Sequence, residues 1–193
     1  RFVGFMPDIF QSYGDTKMLH CLDYFASLVG LRGQARTRKV NQVLELTDLT
    51  PKKEELVGGL SRGNKQRLCL AKTLLHNPKV LLLDEPASGL DPRARIEIRL
   101  LLKELKSMGK TIVISSHILE DLQEICDRVA IYEAGQLVRM GGVQELVSEV
   151  RHNSRIRIHT KEKSEKALLV LKELEAVEDC EQTAKNQILL TLK

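Results

Sequence analysis

The sequence has no tryptophan and only seven other aromatic residues, three tyrosines and four phenylalanines, so aromatics make up 4% of its 193 residues. That leaves little for stacking on bases. The formal charge is +4, but Lys and Arg alternate with Asp and Glu, the pattern of a solvated mixed surface and not of a basic stripe. We therefore expect no nucleic-acid partner. Cys21, Cys69, Cys126 and Cys180 are scattered, with no CxxC pair and no His cluster at zinc-ligand spacing. This excludes a disulfide scaffold and points to a reducing cytoplasm. Long apolar runs are missing too. The greasiest stretches, Val80 to Leu83 and Ala167 to Leu171, are short and flanked by charge, far from the roughly 18 residues that span a bilayer. Any membrane role must come through a partner. Position 1 is Arg, and no charged-then-apolar leader follows it, so a native segment is expected ahead of this chain.

What is present is a change of periodicity near residue 79. Before it, Met18, Leu19, Leu22, Phe25, Ala26 and Val29 repeat at three and four, the spacing of one helical face. Val40, Val43, Leu44 and Leu46 mark a second helix ending before Thr50-Pro51. A third should run from about Asn64 through Leu75 to the Asn77-Pro78 stop. After residue 79 short apolar runs alternate with amphipathic helices: Val80 to Leu83, Pro92 to Met108, Thr111 to Ser115, Ile118 to Cys126, Val129 to Tyr132. Such alternation predicts a buried parallel sheet with crossover helices. A hairpin through Ala134-Gly135 leads to Gln136 to Met140, and a short helix is expected near 143–150. The tail reads strand (Ile156 to His159), helix (Ser164 to Val177), strand (Ile188 to Leu192). It is too small to fold alone.

The chemistry concentrates in two segments. Val80-Leu81-Leu82-Leu83-Asp84-Glu85-Pro86 is an apolar strand ending in two carboxylates. A buried strand cannot hide two charges, so they must emerge at its C-terminal edge, where ligands bind in open α/β sheets. Upstream, Leu60-Ser61-Arg62-Gly63-Asn64-Lys65-Gln66 opens a helix with Ser61 as a good N-cap and Gly63 allowing close backbone approach. The amides of a helix N-terminus suit an anion such as phosphate.

Together these residues resemble the ATP-binding subunits of ABC transporters. Leu60 to Gln66 looks like the LSGGQ signature, and Val80 to Glu85 looks like the Walker B strand. Ala87-Ser88-Gly89-Leu90-Asp91 resembles the D-loop, Ser115-Ser116-His117 the switch-histidine segment, and Val3 to Asp8 the Q-loop region. The resemblance implies an α/β fold, a P-loop NTPase (RecA-like) core with a helical subdomain, and a small C-terminal β-α-β appendage. We expect an ABC ATPase domain over 1–150, with the helical subdomain at 9–78 and the Walker B to switch part at 79–150. Residues 151–193 would be part of an appended domain.

Carried over by position, the resemblance implies Glu85 as general base and His117 as a γ-phosphate contact, both catalytic. Asp84 would hold Mg²⁺, with Asp8 at the same metal. Ser61, Arg62, Gly63, Asn64 and Asp91 would serve nucleotide bound by a second copy of the subunit. ATP and Mg²⁺ are the implied ligands. The implied partners are that second copy, in a nucleotide-sandwich dimer, and a membrane-spanning permease holding the subunit on the inner face of the cell membrane.

The departures from pattern are specific. Arg62 and Asn64 replace the usual Gly and Gln of the signature, and Asp8 replaces the Q-loop Gln, an acidic variant associated with exporters. No G-x-x-x-x-G-K-[ST] loop occurs; Gly109-Lys110-Thr111 has its ending, but Glu104 stands where the first Gly belongs and a strand follows. The expectation is an exporter subunit whose phosphate loop lies in a preceding segment, and a chain inactive alone. The alternatives are a non-transport ABC ATPase in translation or DNA maintenance, which should carry a second cassette or long heptad arms, and a non-enzymatic regulator lending its signature to another subunit.

Overall fold

The computed structural model describes residues 2–8, 14–146, 155–160, 165–174, 177–184 and 186–192. It divides into two compact units, Arg1–Ile125 and Cys126–Lys193. The first opens with strand β1 (Val3–Met6), followed by α1 (Met18–Leu28), α2 (Gly33–Leu46) and the signature helix α3 (Arg62–Leu74). Two 3₁₀ turns, Thr50–Lys52 and Val57–Gly59, lie between α2 and α3. Then come β2 (Val80–Asp84), α4 (Pro92–Ser107), β3 (Thr111–Ser115) and α5 (Leu119–Ile125).

The three strands form a parallel sheet in the order β1-β2-β3, with Phe5, Leu82 and Val113 in one row across it. Alternation splits the strands into two faces. Met6, Leu81 and Leu83 are buried on one, while Phe5 (61% exposed), Leu82 and Val113 (54%) lie bare on the other. Strand β1 is an addition to the expectation, which reads the residues ahead of 79 as mainly helical and names no strand there. At four residues, with Gly4 inside, it shows little alternation. Gly4 is there because a Cβ would come 2.8 Å from both Pro78 and Thr73, where the strand meets the end of α3.

Helices α1, α2 and α3 pack on one another, and Met18, Leu22, Val43, Leu44 and Leu68, on the apolar faces that the sequence spacing marks, are buried. Burying each such side chain stabilises by about 1.5 to 3 kcal/mol. Residues 9–13, where the helical subdomain was expected to begin, lie outside the described residues.

In the second unit β4 (Arg128–Glu133) and β5 (Gln136–Gly142) form an antiparallel hairpin closed by Ala134 and Gly135, both at positive φ. Beyond it lie β6 (Arg155–His159), α6 (Glu165–Lys172), β7 (Val177–Ala184) and β8 (Gln187–Leu192), the strands in the order β6-β8-β7. The tail thus holds one strand more than expected. Its helix stops at Lys172, and Val177 begins β7, in which register shifts break the alternation that would have revealed it. Cys180, Ile188 and Leu190 are its buried centre, with Leu168 and Leu171 of α6 against them. The short helix expected at 143–150 is described for 143–146 only, and the expected division at residue 150 lies outside the described residues.

Candidate functional site

Because β1, β2 and β3 run parallel, the residues that follow them share one edge. Asp8 follows β1, Asp84 ends β2 with Glu85 next, and Ser115 ends β3 two residues before His117. The register places Asp84 opposite Ser115. Ser115 Oγ donates to Asp84 Oδ1 at 2.6 Å and accepts from the Glu85 amide at 3.1 Å. Glu85 sits at φ 47°, a left-handed conformation that costs a non-glycine residue on the order of 1 kcal/mol and collects at functional sites. The turn aims its carboxylate at His117, with Oε1 at 2.9 Å from Nδ1. Glu85 Oε2 is buried and has no hydrogen-bond partner among the described residues. An ionised carboxylate only accepts, so with Glu85 charged it is Nδ1 of His117 that carries the proton. Serving Glu85 and a phosphate at once then needs a proton on both ring nitrogens.

A second locus is built by two helix N-termini. Ser61 caps α3 by accepting from the Asn64 amide at 3.3 Å, and Asp91 caps α4 by accepting from the Ala94 amide at 3.0 Å. The helices approach closely at Gly63, where a Cβ would lie 3.0 Å from that of Ala94. Ser61, Gly63, Asn64 and Asp91 therefore line one cleft of about 310 Å³, with Arg67 and Glu97 in its wall. Arg62 does not line it. Its guanidinium lies against Gly89 (φ 63°), so tightly that any side chain at Gly89 would collide with it.

Gln66 joins the two loci. It is buried and its Nε2 reaches the Glu85 carbonyl at 3.5 Å. Sequence reasoning passed over Gln66, over the Ser115 bridge, and over Arg67, which donates to the Thr47 carbonyl and to the carboxylates of Asp48 and Glu97. The signals for Ser115 were its place at a strand end and its position in the Ser115-Ser116-His117 segment. The Gly109-Lys110-Thr111 stretch lies at the start of β3, the opposite end of that strand from Ser115, and the Lys110 ammonium is held by Asn77 and the Pro78 carbonyl.

Comparison with known proteins bears on the same residues. The ABC transporter family model matches residues 8–88. A Methanocaldococcus jannaschii ABC transporter ATP-binding protein is 32% identical over 179 residues, 89% of this chain and 67% of that protein. The chain belongs to the ABC transporter ATP-binding family. A Nod factor export ATP-binding protein of Burkholderia orbicola is 37% identical over 75% of the chain and 48% of its own length. Among solved structures, cbiO1 from Clostridium perfringens, part of the ABC transporter complex cbiONQ, superposes with a TM-score of 0.69 at 31% identity. That match covers 77% of this chain and 60% of cbiO1. Its fold is thus the P-loop NTPase core of ABC ATPases. The chain spans about half the length of several relatives it matches.

No helix among the described residues is long and apolar enough to cross a membrane. Nor do the described residues hold a cluster of three or more His, Cys, Asp or Glu able to bind a metal. Mg²⁺ beside a phosphate chain needs only one or two protein carboxylates, the rest of its octahedron being water and phosphate oxygen. Asp84, exposed and with one oxygen engaged by Ser115, fits that demand. Asp8, whose Oδ1 is buried without a hydrogen-bond partner, fits as well.

Proposed function

We propose that this chain is the catalytic and dimer-forming part of an ATP-hydrolysing subunit that powers a separate membrane-spanning permease. The observation that supports it most is the Glu85–His117 pair beside Asp84 at one sheet edge. Glu85 takes the proton of the attacking water through its carboxylate, and His117, held by Oε1, presents Nε2 to the γ-phosphate. Asp84, with Asp8, would hold Mg²⁺, which offsets phosphate charge when bound. Ser61, Gly63, Asn64 and Asp91 serve the nucleotide of a second copy, because their cleft is built from helix N-termini that suit phosphate oxygens; Arg62, outside that cleft, would join them from the Gly89 turn.

The bare row of Phe5, Leu82 and Val113 supports a further layer on that sheet face. The greater length of the relatives supports it too. We assign to that segment the loop that grips the phosphates, and infer that residues 1–193 alone do not turn over. We take residues 1–150 as ATPase domain and 151–193 as an appendage, and place the subunit against the inner membrane face through its permease. The export direction rests on Asp8, since the relatives include both a Nod factor export protein and a methionine import protein. The deciding experiment is phosphate release by the full-length subunit: Glu85→Gln should keep ATP binding and lower turnover by about 10²- to 10⁴-fold. Turnover within about threefold of the parent would remove Glu85 as base.

A further inference from the structure

Among the described residues, Asp121 is the one buried carboxylate that the site does not use. It is 1% exposed on α5, four residues beyond His117. Neither of its oxygens makes a hydrogen bond among the described residues, and the nearest cation, Arg99 Nη1, stands 3.5 Å away. Arg99 is closer to Glu124, at 2.7 Å, and Lys103 shares that carboxylate at 3.2 Å. Arg95, one turn earlier on α4, also faces Asp121 electrostatically. Its Nε is buried without a hydrogen-bond partner among the described residues, while Nη2 reaches the Leu90 carbonyl at 3.5 Å.

Stability alone does not account for this arrangement. Burial penalises the ionised carboxylate and pushes its pKa up, against the pull of Arg95 and Arg99. A neutral side chain of the same size would fix α5 on α4 at least as well. The charges instead connect two holders of one turn. Residues 85–91 form the connection from β2 to α4 and carry Glu85 at one end and Asp91 at the other. Glu85 is held by His117, on the segment leading into α5, and Leu90 is held by Arg95 on α4. Glu124 joins α5 to Arg99 and Lys103 of α4 at the surface, and Asp121 is the buried charge of α5 that faces α4.

We infer that Asp121 is a positioning residue which, through Arg95 and Arg99, fixes the distance between the Glu85–His117 pair and the Asp91 turn. It thereby ties the hydrolytic geometry of one copy to the turn that faces the other. This rests on the ATPase reading above. A displaced α5 moves His117 without touching nucleotide, so the loss falls on turnover and not on ATP affinity.

The test uses the full-length subunit with Asp121→Asn, which keeps shape and removes charge. Expected are a melting temperature no more than about 2 °C below the parent, a KM for ATP within about threefold, and kcat lowered at least about tenfold. Arg95→Gln should repeat that split and Arg95→Lys restore most of it, and the double variant Asp121→Asn with Arg95→Gln should be no worse than either single change. If Asp121→Asn keeps kcat within about threefold, or loses turnover only together with about 10 °C of melting temperature, the positioning role is overturned. Should Asp121→Asn fail to fold, an Arg95→Gln variant as active as the parent overturns it equally. A parent that releases no phosphate contradicts the ATPase reading itself, whereas an active parent with unaffected variants overturns only the role of Asp121.

Discussion

Replacing Arg67 with Met keeps the aliphatic stem in place and removes the guanidinium that ties three helices together. Arg67 is 9% exposed on α3. Its Nη1 donates to the Thr47 carbonyl at 3.0 Å and to Asp48 at 3.3 Å, where α2 ends with Asp48 at φ 55°. Nη2 donates to Glu97 of α4 at 2.6 Å. The three bonds are unequal. Asp48 is 84% exposed, so its pairing is screened and contributes about 0 to 1 kcal/mol. Glu97 is partly buried and keeps Arg93 at 3.1 Å, so losing the Arg67 bond costs about 1 kcal/mol. The Thr47 carbonyl, at a buried residue, loses its donor at about 1 to 2 kcal/mol. Together Arg67→Met should destabilise the first unit by about 2 to 4 kcal/mol. At about 2 to 4 °C per kcal/mol for a protein of this size, that lowers its melting temperature by roughly 4 to 16 °C. The assay is urea unfolding of the full-length subunit by far-ultraviolet circular dichroism, with exposed Arg93→Ala as a control expected within about 0.5 kcal/mol. A midpoint for Arg67→Met as close to the parent as the control's would refute the clamp.

Two further outcomes follow from charge and from phosphate binding. The pKa of Asp121 is raised in the fold by burial, opposed by Arg95 and Arg99 and supported by Glu120 and Glu124. Its contribution to stability is therefore complete below its unfolded pKa and is lost as pH rises through the folded one. The melting temperature of Asp121→Asn should gain on the parent as pH rises above the ordinary carboxylate range, and a gap closing in that direction contradicts the assignment. Residues 1–193 alone should bind Mg-ATP more weakly than about 100 μM, equivalent to about 5.5 kcal/mol, in titration calorimetry. Tighter binding would mean that the phosphates are held within this chain.

Sequence order revealed the sheet where a short, wholly apolar run met charge. The expected strand Val80 to Leu83 lies within a residue of β2, Thr111 to Ser115 coincides with β3, and α3 begins next to the cap read at Ser61. Strand β1 stayed hidden because four residues interrupted by Gly4 carry almost no period, and β7 because its register shifts and its acids mask alternation. In the site, Glu85 and His117 could be named from motif order, but their bond depends on the pairing of β2 with β3, which no local pattern specifies. Arg67 and Asp121 read as ordinary helix-surface charges, and only the packing of α3 on α4 and of α4 on α5 buries them. A buried ion is invisible to periodicity when it falls on a face that the apolar residues also occupy.

Most directly at stake is the claim that two copies share each nucleotide, with Ser61 of one completing the site of the other. Light scattering of the full-length Glu85→Gln subunit should show its mass double on adding Mg-ATP. The double variant with Ser61→Arg should remain a monomer that still binds ATP. A double variant that dimerises on ATP as readily as Glu85→Gln would contradict the shared site.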